Sequence, residues 1–346
     1  MINPHRFQYN FAESDPVNLV IVRTPFRVSF LGGGTDYPEY YLRQGGQVLA
    51  TSIDKYAYFT LNRLGPLVQE RFRLHYSRLE AVNSVDDIRH PAIRGCFQYL
   101  GIDDHMNLSY TADLPARTGL GSSSCFLVGL LHALHAYHRR LVHQKELAML
   151  AIHVEQQVLH ENVGSQDQYM CALGNLRRVK FETDGTIHSE LLPLSRRRRG
   201  ELESRLMLFF TSMTRYASQT IGEQMENTRA HKVDAQLSDL YDLVDAGRDI
   251  LAGEGPLEEF GRLLDESWRI KRSLSTKVSN PLIDGMYEAA KAAGAVGGKL
   301  LGAGGGGFLL LLAPPDRQDA VRAALKDHPE ISFAFDTTGS QLLYVN

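Results

Sequence analysis

The chain has little of what would staple it, anchor it or draw it to a polyanion. Cysteine occurs only at positions 96, 125 and 171. An odd count without metal-type spacing argues against both a disulfide framework and a zinc site. No apolar run approaches bilayer length, and Phe308 to Ala313 is short enough to read as a buried strand. Met1 to Asn18 lacks the apolar core of a signal peptide. Neither sign of charge dominates: the formal net charge is -3, with 22% charged residues. That balance gives no support for nucleic-acid binding. These absences predict a soluble chain in a reducing, cytoplasmic setting, with neither nucleic acid nor membrane as partner and with a homodimer left open. Its 346 residues exceed one compact core and suggest two domains.

What the chain does have is clustered glycine. Leu114-Pro-Ala-Arg-Thr-Gly-Leu-Gly-Ser-Ser-Ser-Cys125 is a Gly/Ser turn running directly into the apolar, helix-spaced stretch Phe126 to Leu134. Gly119 and Gly121 permit backbone angles that a side chain would forbid. Ser122, Ser123 and Ser124 would then supply hydroxyls and unpaired amides at a helix start, a geometry suited to phosphate. A Ser-capped core helix after an ordinary loop fits the same residues. Gly32-Gly-Gly-Thr-Asp-Tyr-Pro38 brings Asp36 to a strand end, either for close approach to a ligand or as a flexible hairpin connection. The third cluster is Gly297-Gly-Lys-Leu-Leu-Gly-Ala-Gly-Gly-Gly-Gly307.

Around these clusters the pattern predicts strands at Val17–Arg23, interrupted by Pro25, then at Arg27–Leu31, Gln47–Leu61, Leu74–Arg78 and Met106–Ala112. Helices are predicted at Ile93–Leu100 and Glu146–Leu159. Asp167 falls just after the helix break, or on the first turn of a new helix. The basic run Ser195 to Gly200 reads as a solvated loop near a domain boundary. Beyond it come a strand at Leu206–Phe210, helices through Ala217–Leu274 with a break at Gly253–Pro256, a helix at Pro281–Ala293 and strand character from Ile331 to Val345. His132, His135 and His138 are spaced by three, which drifts round a helix, and no carboxylate accompanies them as a metal site would require.

Taken in order, Arg27–Tyr37, Pro115–Ser124 and Gly297–Gly307 resemble the three motifs of the GHMP small-molecule kinases. Within that superfamily, Gly32-Gly-Gly-Thr-Asp36 is similar to the D-glycero-α-D-manno-heptose 7-phosphate kinases and the fucokinase domains. Ser52-Ile-Asp-Lys-Tyr56 and His75-Tyr-Ser77 also resemble the heptose-phosphate kinases. The resemblance implies an α+β fold in two domains. Residues 1–194 would form a ribosomal-S5-domain-2-like N-terminal domain, and 195–346 a ferredoxin-like C-terminal domain. It also implies ATP and Mg²⁺ as cofactors, and a sugar phosphate as acceptor at its C1 hydroxyl. Alternatives are a kinase for fucose or a hexuronic acid, or a decarboxylase or sugar-binding homologue on the same scaffold.

The roles that the resemblance implies are specific. Asp167 would orient the acceptor hydroxyl and take its proton, with Arg27 stabilising charge beside it. Pro115, Gly119, Leu120, Gly121, Ser122, Ser123 and Ser124 would form the nucleotide's phosphate cradle, braced by Gly304 and Gly305. Ser123, with Ser122 as the next candidate, and Glu155 would hold the metal. The spacing from Glu155 to Asp167 is one residue longer than in mevalonate kinase. Gly33, Gly34, Thr35 and Asp36 would bind sugar hydroxyls. For the acceptor's distal phosphate the candidates are Lys55, Arg117, Arg215, Lys277 and Lys299, with solvated surface charge the alternative for each.

Overall fold

The computed structural model describes residues 9–11, 14–213 and 217–346, with side chains omitted at 217–220. The first half alternates strand and helix. β1 (Leu19–Leu31), α1 (Pro38–Gln44) and the long β2 (Gly46–Arg63) are followed by the hairpin of β3 (Phe72–His75) and β4 (Leu79–Val82). Then come α2 (Pro91–Leu100), β5 (Met106–Ala112), α3 (Ser122–Tyr137), α4 (Gln144–His153), α5 (Gln166–Leu173), β6 (Leu176–Phe181) and β7 (Ile187–Leu191). The second half opens with α6 (Arg196–Glu203) and β8 (Leu206–Phe210). It continues through α7 (Ala217–Arg229), α8 (Asp234–Ala252), α9 (Glu258–Arg272) and α10 (Pro281–Ala292). It closes with β9 (Gly297–Leu300), β10 (Phe308–Leu312), α11 (Gln318–Ala324) and β11 (Gln341–Val345).

Two sheets result. The larger runs β11-β1-β2-β5-β3-β4, with the β6–β7 hairpin paired to the other half of β2. The smaller is antiparallel, in the order β8-β10-β9. This is the α+β arrangement expected. The boundary at 194/195 is crossed, however, because β11 returns to pair with β1. β1 also runs through Pro25, where an interruption was expected. The β11 ladder covers only Val20 to Arg23, and the β1–β2 register shifts between Pro25 and Arg27, so the missing N–H of Pro25 breaks no bond.

Two further expectations give way. Leu74–Arg78 splits, because Tyr76 N donates to Arg78 O at 2.9 Å and turns the chain. Ser195 to Gly200 is not a loop but the start of α6. Ser195 Oγ caps it by accepting from Arg198 N at 3.1 Å, and buried Arg198 donates to Ile250 O at 2.7 Å. Of the predicted strand character after Ile331, only Gln341–Val345 forms a strand.

The core explains the two most apolar segments. Phe308, Leu310 and Leu312 of β10 join the core of the large sheet, while Leu309 and Leu311 join that behind the small one. A strand buried on both faces needs no polar alternation. α3 is apolar all round because β1, β2, α4 and α5 enclose it, and its buried body fixes where the Gly/Ser turn points. His135 of α3 and His138 just after it pack with Phe11, and His132 Nδ1 lies 2.8 Å from Ser340 Oγ.

Candidate active site

A cavity of about 950 Å³ lies between the two sheets, large for a small-molecule site. The Gly/Ser turn forms its floor. Cys125 N, donating to Gly121 O at 2.8 Å, closes the first helical bond of α3, so the amides before it lack a helical acceptor. Gly119, Gly121 and Ser122 to Ser124 line the cavity. Ser122 Oγ accepts from Arg117 N at 3.0 Å and holds the turn shut, while Ser123 is exposed at the wall. Pro115 and Leu120 serve by backbone. Pro115 O accepts from Thr118 Oγ1 at 3.0 Å, and Leu120 O from Arg27 N at 3.1 Å.

The third glycine cluster locks onto this turn. A Cβ at Gly119 would lie 2.4 Å from Leu301 O, and one at Gly302 would lie 2.4 Å from Gly119 Cα. Both residues also have positive φ, so glycine is required twice over. Phe308 N donates to Thr118 O at 3.1 Å across the same contact. Gly304 lines the cavity, whereas Gly305 N is spent on Val278 O at 2.9 Å.

Arg27 and Asp167 stand over the floor. Arg27 Nε and Nη2 donate to Asp167 Oδ1 and Oδ2 at 2.6 and 2.8 Å, a bidentate pair, and Nη1 donates to Gly119 O at 2.7 Å. One guanidinium therefore ties the carboxylate to the turn. Asp167 lies in the first turn of α5, and flanking glutamines fix it: Gln166 Oε1 accepts from Ser29 Oγ at 2.7 Å, and Gln168 Nε2 donates to Glu155 at 2.5 Å.

Glu155 sits where α4 widens into a π-helical turn, Val154–Val158. The continuous helix expected over Glu146–Leu159 is replaced by this turn, closed by Leu159 N donating to Val154 O at 2.9 Å. A π turn takes up one more residue than an α turn. Glu155 is 3% exposed and accepts from Ser124 Oγ at 2.8 Å. Burial pushes its carboxyl up to about 7, against the opposing bonds from Gln168 and Ser124. Ser124, not Ser123, is thus the loop serine hydrogen-bonded to it. Among the described residues no three His, Cys, Asp or Glu side chains gather as a metal cluster. Magnesium needs none: one carboxylate, a hydroxyl, phosphate oxygens and water make a suitable set, so the oxygen donors here fit it.

Gly33, Gly34 and Asp36, expected to meet the acceptor, line the cavity. Asp36 is 2% exposed, and its Oδ1 accepts from Gly34 N at 3.0 Å. Burial, and after it the Asp167 charge, push its carboxyl above its ordinary value. Thr35 does not face the cavity. Its Oγ1 bonds Gly32 O and Gln47 O at 2.8 Å, a turn-forming role in place of the sugar contact expected. Of the candidate cations, Arg117 and Lys299 line the cavity; Lys55 pairs with Asp54 at 3.2 Å; Lys277 does not line it; Arg215 lies outside the described residues.

Sequence reading missed six contributors. Lys271 lines the cavity from the last turn of α9, although Phe260, Leu264, Ser267 and Trp268 on the same helix are all buried. A lysine continuing that apolar stripe was the available signal. Gly164 abuts Asp36. Tyr76, Arg78, Arg89 and His90 form the far wall.

Backbone amides gathered for an anion, beside a carboxylate locked by a bidentate arginine, make a centre for moving a phosphoryl group onto a hydroxyl. The comparisons with known proteins agree. Residues 88–175 match the GHMP kinase N-terminal domain, and 250–331 the GHMP kinase C-terminal domain. The chain is 27% identical over 333 residues to D-glycero-alpha-D-manno-heptose 7-phosphate kinase of Campylobacter jejuni, covering 92% of this chain and 96% of that one. It is 26% identical over 332 residues to a bifunctional fucokinase/GDP-fucose pyrophosphorylase of Arabidopsis thaliana, covering 89% of this chain but 31% of that protein. In fold it is similar to a D-glycero-D-manno-heptose 1-phosphate kinase from Bacteriodes thetaiotaomicron, with TM-score 0.75, 24% identity, 94% of this chain and 99% of that one. It is also similar to Lactococcus lactis galactokinase complexed with galactose, with TM-score 0.73, 18% identity, 94% and 95%. The chain belongs to the GHMP kinases. It is a sugar kinase of that family, a phosphotransferase acting on a sugar hydroxyl with ATP as donor. No helix among the described residues is long and apolar enough to cross a membrane.

Proposed function

We propose that the enzyme phosphorylates the C1 hydroxyl of D-glycero-α-D-manno-heptose 7-phosphate, giving the 1,7-bisphosphate for nucleotide-heptose and surface-polysaccharide synthesis. The observation that carries this reading is the match, over nearly the whole of both chains, to a heptose 7-phosphate kinase. In it, residues 1–194 carry the phosphate loop and catalytic pair, and 195–346 the bracing third motif.

Asp167 orients the anomeric hydroxyl and takes its proton as the O1–Pγ bond forms and the bond from Pγ to the β-phosphate oxygen breaks. Arg27 holds that carboxylate in line with the loop and offsets charge developing between them. Amides of the Gly119–Ser124 turn hold the β- and γ-phosphates, and Gly302, interlocked with Gly119, keeps the turn from yielding, with Gly304 at the cavity wall. Ser123 or its neighbour Ser124, with Glu155, would hold Mg²⁺, which neutralises phosphate oxygens when bound. Asp36, beside Gly33 and Gly34, accepts from sugar hydroxyls.

A fucose kinase is the second reading, favoured by the similarity to fucokinases. ADP release measured over a panel of free and phosphorylated sugars separates the two. Turnover of heptose 7-phosphate, abolished in Asp167→Asn while ATP still binds, is the expected result. Turnover of a free sugar alone would refute the heptose assignment, and an active Asp167→Asn would remove the base.

A further inference from the structure

Two buried lysines on the C-terminal side of the cavity are left over by the mechanism above. Lys271 is 6% exposed and Lys299 is 1% exposed, and both line the cavity. Each ammonium has three donors, yet Lys271 Nζ gives one to Gly302 O at 2.5 Å, and Lys299 Nζ one to Phe30 O at 2.7 Å. Among the described residues neither has a carboxylate within ion-pair distance, unlike Arg27 on the same cavity. Asp167 is taken bidentately by Arg27, and Asp36 is met by the Gly34 amide. The third buried carboxylate of the cavity, Glu155, is met by Ser124 and Gln168, so none of the three is left to pair with either lysine.

Buried ammonium groups held only by carbonyls are costly unless an anion completes them. The cost registers on both groups. Burial, and after it the Arg27 charge, pulls Lys271 down to about 8. Burial and then Lys271 itself pull Lys299 well below its ordinary value. A dianion placed between them would satisfy the remaining donors and reverse both shifts.

We infer that Lys271 and Lys299 form an anion subsite for a phosphoryl group, distinct from the amide cradle of the Gly119–Ser124 turn. Its occupant is either the acceptor's own phosphate ester, a source that rests on the acceptor proposed above, or the γ-phosphoryl group of ATP during transfer. Placement allows both. Lys299 reaches Phe30, just before the Gly33–Asp36 turn, whereas Lys271 reaches Gly302, which touches the phosphate turn.

Inorganic phosphate binding to the full chain, read by calorimetry at constant ionic strength, tests this without any sugar. The cradle is filled in one arm with magnesium and a non-hydrolysable ATP analogue, and in the other with magnesium and ADP. Phosphate binding to the analogue-filled wild type, weakened at least tenfold in Lys271→Met and in Lys299→Met, identifies an acceptor-phosphate site. Binding to the ADP form alone, with the same loss in the variants, identifies a γ-phosphoryl site. Absence of phosphate binding to wild type in both arms, or binding to both variants as tight as to wild type, overturns the subsite. Where a Met variant fails to fold, Lys271→Gln or Lys299→Gln takes its place, and absence of binding to wild type refutes the subsite without any variant. Heptose 7-phosphate can fail as a substrate without touching this result, so the two readings fall separately.

Discussion

Gly164→Ala should cripple acceptor use while leaving the fold standing. Gly164 has no positive φ, so alanine suits its backbone. Its Cβ, however, would lie 1.9 Å from Asp36 Oδ2 and 2.7 Å from Asp36 Cγ. Relief requires the carboxylate to retreat by more than an ångström. Its own bonds oppose that: Gly34 N holds Oδ1 at 3.0 Å, and Ser165 N holds Asp36 O at 2.9 Å. Hydrogen bonds to a charged group contribute about 1.5–3 kcal/mol each. Losing one or two to sugar hydroxyls, with the acceptor misplaced by about 1 Å, should lower kcat/KM for the sugar by roughly 10²-fold or more. Gly33→Ala provides the contrast, since its Cβ would meet Ser29 Oγ at 3.6 Å, an ordinary contact, and should cost less. Steady-state kinetics at saturating ATP, with a melting curve for each variant, reads the difference. A Gly164→Ala enzyme with wild-type kcat/KM would refute the placement of Asp36 against the acceptor.

Arg27→Lys keeps a charge but loses the bidentate grip on Asp167 and the bond to Gly119 O; kcat should fall by about 10²-fold or more in steady-state assays. In Gly302→Ala the new Cβ would strike Gly119 Cα at 2.4 Å from a positive-φ position, so the KM for ATP should rise about tenfold, read by varying ATP at fixed acceptor. Glu155 binds its proton more tightly folded than unfolded, so its contribution to stability is complete below its unfolded pKa of about 4.3 and is lost as pH rises through about 7. Without added metal, melting temperature should fall across that window by the equivalent of up to about 4 kcal/mol, and Glu155→Gln should flatten the fall; an unchanged slope in the variant would contradict the assignment.

Legibility followed the range of the interaction. The Gly/Ser turn could be read because its sequence signal lies within about ten residues: a strand, two glycines, serines and an apolar helix. Glu155 and Asp167 were legible by resemblance, but the π-helical turn between them was not, since its i to i+5 bonding leaves no compositional mark. Thr35 was assigned to the sugar because it sits between Gly34 and Asp36. Strand neighbours claimed its hydroxyl instead, through Gly32 and Gln47. The arginine run at 196–199 looked like a solvated loop because composition alone cannot show that Ser195 caps a helix and that Ile250 receives Arg198.

The amino-acid order by itself determined the three glycine clusters and the helix that carries the phosphate turn, properties of local pattern and residue chemistry, while Arg27, Asp36, Glu155 and Asp167 were singled out through the resemblance those clusters carry. Only the tertiary structure decided that Gly302 interlocks with Gly119, that Arg27 joins Asp167 to the turn, that Ser124 rather than Ser123 bonds Glu155, and that Lys271 enters the cavity. Each of those joins side chains or backbone far apart in the chain, and the shared core of β10 and the large sheet, not any local propensity, holds them in register.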